Sequence, residues 1–190
     1  MYVADLIVTS GKVPRGVTAA GVPLGGLAPD EAEGRLQDVV GPRSEEPIPV
    51  TVGALDTEVT PRSIDLQVDA RATVAQAGGQ PLNPITRLTS FFVETPVGVV
   101  SSVDDQALTA TLEVLADDVA EDPVEGSIDF VDGEPVAADP ESGQRLDVDA
   151  AAGVLIRDWA LGETVNLPMA ELEPSTTATD VEAAMRDVAA

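Results

Sequence analysis

Three stretches carry apolar residues at helical spacing, each behind a helix-start signal. Ala28-Pro29-Asp30-Glu31 places proline at a first helical position and carboxylates at the positive end of the helix dipole. Ala32, Leu36, Val39 and Val40 follow at i, i+4, i+7 and i+8 and predict one apolar face. Ser102-Val103-Asp104-Asp105 opens a second helix with Leu108, Leu112, Leu115 and Val119 on one side. Thr179-Asp180-Val181-Glu182 matches a capping box and opens a third helix through Val188. With Ala32, Ala107 and Ala183 in register, the intervals are 75 and 76 residues, a long internal repeat.

The segments between these helices correspond. Pro47 to Gly53 alternates apolar and polar residues like an edge strand that tolerates proline. Its counterpart, Ser127 to Gly133, predicts a hairpin with Asp132-Gly133 in its turn. Thr60 to Asp69 and Asp139 to Asp149 each read as a turn, a short strand and an aspartate placed to cap a helix. Asp69 opens an alanine-rich helix through Ala77, stopped at Gly78-Gly79. Asp147 or Asp149 opens the matching helix, with Val148, Ala152, Leu155 and Trp159 on its face. Strands follow around Val97–Val100 and Val165–Met169. The expectation is an α+β chain of two tandem helix-strand-strand-helix-strand modules, elongated, with the start of a third repeat at the C-terminus. A single domain with internal pseudosymmetry is the alternative. The expected divisions are a linker at 1–16, a first repeat at 17–93, a second at 94–175 and the third beginning at 176–190.

Composition narrows the chemistry. Of 190 residues, 34 are Asp or Glu and 10 Lys or Arg, a formal charge of −24. That balance excludes nucleic-acid binding and docking on an anionic bilayer through a polybasic patch, since both need clustered cations. Neither His nor Cys occurs, which removes zinc-thiolate sites, disulfides, thiolate nucleophiles and Ser-His-Asp triads. Residues 1–95 carry −5 and residues 96–190 carry −19, so the acidity lies mostly in the second half. Asp117, Asp118, Glu121 and Asp122 are the densest carboxylates there, and a solvated face explains them without a metal. The stretch Asp129 to Gly133 lacks the ligands of a calcium loop. No cofactor and no metal are expected.

Val17-Thr18-Ala19-Ala20-Gly21-Val22-Pro23-Leu24-Gly25-Gly26-Leu27, then Glu31-Ala32 and Leu36, resembles an opening signature, G-(I/V)-x-(I/L)-G-G-(L/M)-(S/T)-x-x-E-A-x-x-x-L. That signature marks the peptidoglycan-binding-type repeats of VanW-family proteins, and similar repeats precede some bacterial L,D-transpeptidase domains. The turn-strand-Asp-helix elements at Pro61–Ala72 and Pro140–Ala152 also resemble that family. The likeness covers residues 11–175, and Ala28 stands where a hydroxyl cap is usual. The resemblance implies an extracytoplasmic protein, anchored to the bacterial cell membrane by an N-terminal helix absent from this chain, with the repeats facing the cell wall. Val13 to Gly16 resembles the segment that follows such an anchor.

No carboxylate pair is singled out as a glycosidase site, and Ser101, Ser102 and Ser142 have no histidine to activate them. Gly25-Gly26 lacks the spacing and lysine of a phosphate loop and reads as a turn. The chain is expected to be a non-enzyme. For a peptidoglycan glycan or stem-peptide ligand, the candidate residues are Asn83, Arg87 and Phe91, in the nearly uncharged run Gly78 to Phe92. The alternative for that run is a linker that packs one repeat on the next. Trp159, in helical register with Leu155, reads as core rather than as a sugar platform. The two function classes are a cell-wall binding module and a structural spacer or protein-interaction stalk.

Overall fold

A computed structural model describes residues 11–78 and 95–188. The chain opens with the hairpin β1 (Val17–Ala19) and β2 (Val22–Pro23), then α1 (Pro29–Val40) and a 3-10 turn (Gly41–Glu45). A second hairpin, β3 (Ile48–Val52) and β4 (Leu55–Val59), leads through a 3-10 turn (Pro61–Ile64) to β5 (Gln67–Val68) and α2 (Ala70–Gln76). After the undescribed segment come β6 (Thr95–Val97), β7 (Ser101–Ser102) and α3 (Asp105–Val119). A third hairpin, β8 (Ser127–Val131) and β9 (Glu134–Ala138), precedes β10 (Gly143–Leu146) and α4 (Val148–Asp158). The 3-10 turn Trp159–Leu161, β11 (Val165–Leu167), β12 (Met169–Leu172) and α5 (Ala178–Val188) complete the chain. The fold is α+β, and helix, hairpin, strand, helix is the order in both halves.

Aspartates start the helices as their spacing predicts. The Asp104 carboxylate accepts the N–H groups of Gln106 and Ala107, each at 3.0 Å. Asp69 accepts the Ala72 N–H at 2.8 Å, and Asp147, not Asp149, accepts that of Ala150 at 3.0 Å. Such caps satisfy donors that the helix itself leaves open. At Ala28 only half of a capping box exists: Glu31 reaches back to the Ala28 N–H at 3.1 Å. The third cap falls earlier than its spacing indicated. Thr177 caps α5, its hydroxyl donating to Asp180 at 2.6 Å, so the box is Thr177 with Asp180 rather than Thr179 with Glu182.

Gly25-Gly26 is the turn that the sequence implies, for a packing reason. A Cβ on Gly25 would lie 2.7 Å from the Gly16 nitrogen and 3.0 Å from the Pro14 carbonyl, and Gly26 has φ +82°. The pair lets residues 24–27 lie directly on residues 13–17, where the Gly26 N–H donates to the Val13 carbonyl at 2.9 Å. Val13, expected in a linker, is core at 2% exposure.

One apolar core runs through both halves, from Val13, Leu24 and Leu36 to Leu112, Leu155 and Trp159. The α+β class is as expected, while the elongated tandem layout of two modules is not confirmed, since the halves share this core. The halves also share a sheet, because β11 pairs in parallel with β3: Val165 opposite Val50, Leu167 opposite Val52. That corrects the reading of Pro47–Gly53 as an edge strand, since β3 is the middle strand of β11-β3-β4. Pro49 is tolerated because the parallel ladder begins only at Val50. The division expected between residues 93 and 94 lies outside the described residues.

Other differences are local. The module order gains strands, because β4 and β9 close hairpins on β3 and β8. Of the strand expected around Val97–Val100 only Val97 is in a strand: residues 98–100 are an irregular link between β6, which pairs with β1, and β7, which pairs with β5. The strand around Val165–Met169 breaks at Pro168, and β12 turns back onto β10. Val39 sits on the rim of the α1 stripe at 44% exposure, while Ala32, Leu36 and Val40 are buried. On α4 the buried residues are Ala151 and Leu155, with Val148 and Ala152 half-buried.

Candidate functional site

The candidate groove is built on the strand that leads into α4. Leu146 is fully buried and fixes β10, so its neighbour Arg145 projects to the exposed side. Across the β10–β12 ladder, Arg145 lies opposite Ala170, too small to cover it. Asp147 ends the strand and caps α4, and Asp149 follows in its first turn. The facing wall is α3. Its buried stripe is Leu108, Leu112 and Leu115, and the next stripe round is Thr109, Glu113, Ala116, Asp117 and Ala120. Thr109 is tied to its own helix, its hydroxyl donating to the Asp105 carbonyl at 2.8 Å. Between these walls lies an open groove of about 690 Å³.

Among the described residues five carboxylates line the groove, on Glu113, Asp117, Asp122, Asp147 and Asp149, with Arg145 as the one cation. The second half has three arginines. Arg157 forms a two-pronged pair with Asp158, and Arg186 donates to the Glu182 carbonyl at 3.2 Å. Arg145 makes no ion pair among the described residues, so its guanidinium is available to a ligand. Guanidinium binds carboxylate in a bidentate fork, and the surrounding carboxylates accept from ammonium and hydroxyl groups. The groove therefore suits a ligand that carries both an amine and a carboxylate. Among the described residues no aromatic side chain lines it.

The acidic run singled out in the sequence is divided by this geometry. Asp117 and Asp122 face the groove, whereas Asp118 and Glu121 line a neighbouring depression against the β3–β4 turn. Glu121 is held there by the Gln144 side chain, which donates to it at 2.9 Å. Among the described residues no three carboxylates converge closely enough to hold a metal ion.

Asn83, Arg87 and Phe91 lie outside the described residues. Trp159 is 1% exposed, and its indole N–H donates to the Ser101 hydroxyl at 2.9 Å, which places both side chains in structural roles. Sequence reasoning missed Arg145 and Glu113. The signal for Arg145 is its isolation: it is the one cation between Arg87 and Arg157, in an otherwise acidic stretch. Glu113 carries no such mark, because only the β10–α3 packing brings it opposite Arg145.

No protein-family model, curated protein or solved structure matches the chain. Among the described residues no helix is long and apolar enough to cross a membrane.

Proposed function

We propose that this chain is a non-catalytic, extracytoplasmic cell-envelope module of the VanW-like repeat type. In this reading it binds peptidoglycan through the stem peptide, in the groove between α3 and β10. The observation that carries it is Arg145, without an ion pair among the described residues, in a groove lined by five carboxylates. A stem peptide offers a terminal carboxylate for the guanidinium and a diamino-acid amine for Glu113 or Asp117. The glycan is the less favoured part of the polymer, because sugar faces usually stack on aromatic rings and none of the described residues lining the groove is aromatic.

The test is co-sedimentation with purified sacculi, beside an equally acidic unrelated protein, at low and moderate salt. Saturable pelleting is expected, reduced several-fold by Arg145→Ala and by Glu113→Gln. Absence of pelleting above the control would overturn the reading and leave the chain as a spacer. The spacer is the second reading because the continuous core and the β3–β11 pairing tie the halves into one unit.

A further inference from the structure

The two longer hairpins have the same construction and different surroundings. In β3–β4 and in β8–β9, five residues pair with five across a two-residue turn. The outer edge of β3 is occupied by β11, while β8–β9 is a two-stranded sheet among the described residues. An isolated hairpin is marginally stable in water. Part of its surface is covered by α5, where Val181 is 4% exposed and packs beside Gly126. The rest is open: Phe130 is 65% exposed, Val131 56% and Val136 48%. Val181 is also the one buried apolar residue among those described that lies outside the main core.

The edges of these hairpins are not alike. With a two-residue turn, Val131–Glu134, Asp129–Val136 and Ser127–Ala138 are the pairs that exchange hydrogen bonds. The backbone groups of Ile128 and Phe130 therefore point outward from β8, and those of Pro135 and Ala137 outward from β9. Pro135 has no N–H to offer, which blunts the β9 edge. By the same alternation, the outer edge of β4 carries Asp56 and Glu58. The β8 edge has neither proline nor charge at its outward positions. Counted from the turn, Phe130 corresponds to Thr51, the residue opposite Asn166 in the β3–β11 pairing.

We propose that the outer edge of β8 accepts a parallel strand from another unit of the same helix–strand kind, as β3 accepts β11. The occupant is a short extended segment with apolar residues at alternate positions, in the manner of Val165 and Leu167. It carries few carboxylates of its own, because Asp129, Asp132 and Glu134 already stand on the hairpin. A second whole copy of this chain is the poorer occupant, since it would bring a further formal charge of −24 to the contact.

The experiment appends a second copy of residues 162–168 after Ala190 through a flexible Gly/Ser linker, giving an effective concentration on the order of 1 mM. Amide hydrogen exchange at Ile128 and Phe130 is compared with a control in which both apolar residues of the appended segment are aspartate. Exchange at both amides is expected to slow by roughly tenfold. Phe130→Pro, which removes the outward donor, is expected to abolish the slowing at Ile128. Phe130→Thr, which installs the β3 residue, is expected to retain it. Equal exchange with the apolar and aspartate segments overturns the proposal, as does slowing that survives Phe130→Pro. Slowing that depends on protein concentration would make a second copy the occupant and overturn it too.

Discussion

Leu36→Ala tests whether the two halves are one cooperative unit. Leu36 lies on α1 in the first half and is fully buried, whereas Trp159, the only tryptophan, lies in the second half at 1% exposure. The substitution removes three buried carbons at ~0.8 kcal/mol each, and the cavity left behind adds roughly 1 kcal/mol, for a total of about 3 kcal/mol. Domains of this kind carry roughly 5–15 kcal/mol of stability, so the variant remains folded. With a urea slope of about 2–3 kcal/mol per molar, the midpoint falls by about 1–1.5 M. The assay follows urea unfolding by Trp159 fluorescence and by far-ultraviolet circular dichroism in the same samples. A shared core predicts that both probes shift together, although the substitution is in the other half. A circular-dichroism curve that splits into two phases, with the tryptophan midpoint unmoved, would refute the shared core.

Other outcomes follow from local features. Asp147→Asn keeps an oxygen for the Ala150 N–H and should leave the thermal midpoint nearly unchanged while weakening sacculus binding; Asp147→Ala should also cost about 1 kcal/mol in urea unfolding. Ala20→Gly should raise stability by about 0.5 kcal/mol in the same assay, because Ala20 is held at φ 48°, where an L side chain is strained. Glu125 sits below its ordinary 4.5 because it accepts the backbone N–H groups of Ser175 and Thr176, and Asp180 below its ordinary 3.8 because it accepts hydrogen bonds from Thr177. Glu125 is more acidic with the segment before α5 docked than released, and Asp180 with the α5 cap formed than frayed, so docking and cap are at full strength above ~4.5 and weaken as pH falls through the lowered values. Hydrogen exchange should show α5 losing protection as the pH falls below ~4.5, before α4 does, and parallel loss in both helices would contradict this.

The helices were legible where apolar spacing and a start signal coincide, as in α3 and α4, whereas the α5 start fell two residues before the one its spacing indicated. Leu108, Leu112 and Leu115 are buried as that spacing requires, and Asp69, Asp104 and Asp147 cap the helices they precede. Asp132-Gly133 declared its hairpin because both residues adopt positive φ, at 53° and 86°, as a two-residue turn demands. The β3–β11 pairing was not legible. It joins residues more than a hundred positions apart, and the proline in β3 argued locally for an edge. The same holds for the groove: Arg145 and Glu113 are 32 positions apart and come to line one groove only through the packing of β10 on α3. Asn83, Arg87 and Phe91 come from the nearly uncharged run Gly78 to Phe92, and the described residues do not include them; the resemblance to VanW-type repeats implies a cell-envelope setting but names no site residue.

The groove itself is tested most directly by titrating isotope-labelled protein with a soluble muropeptide that carries a free diamino-acid amine and a free terminal carboxylate, followed by backbone amide shifts. The account predicts saturable shifts confined to Glu113, Asp117, Arg145, Asp147 and Ala170, lost in Arg145→Ala and weakened when the amine of the ligand is acetylated. Shifts centred on Asn83, Arg87 and Phe91, or none at millimolar ligand, would contradict it.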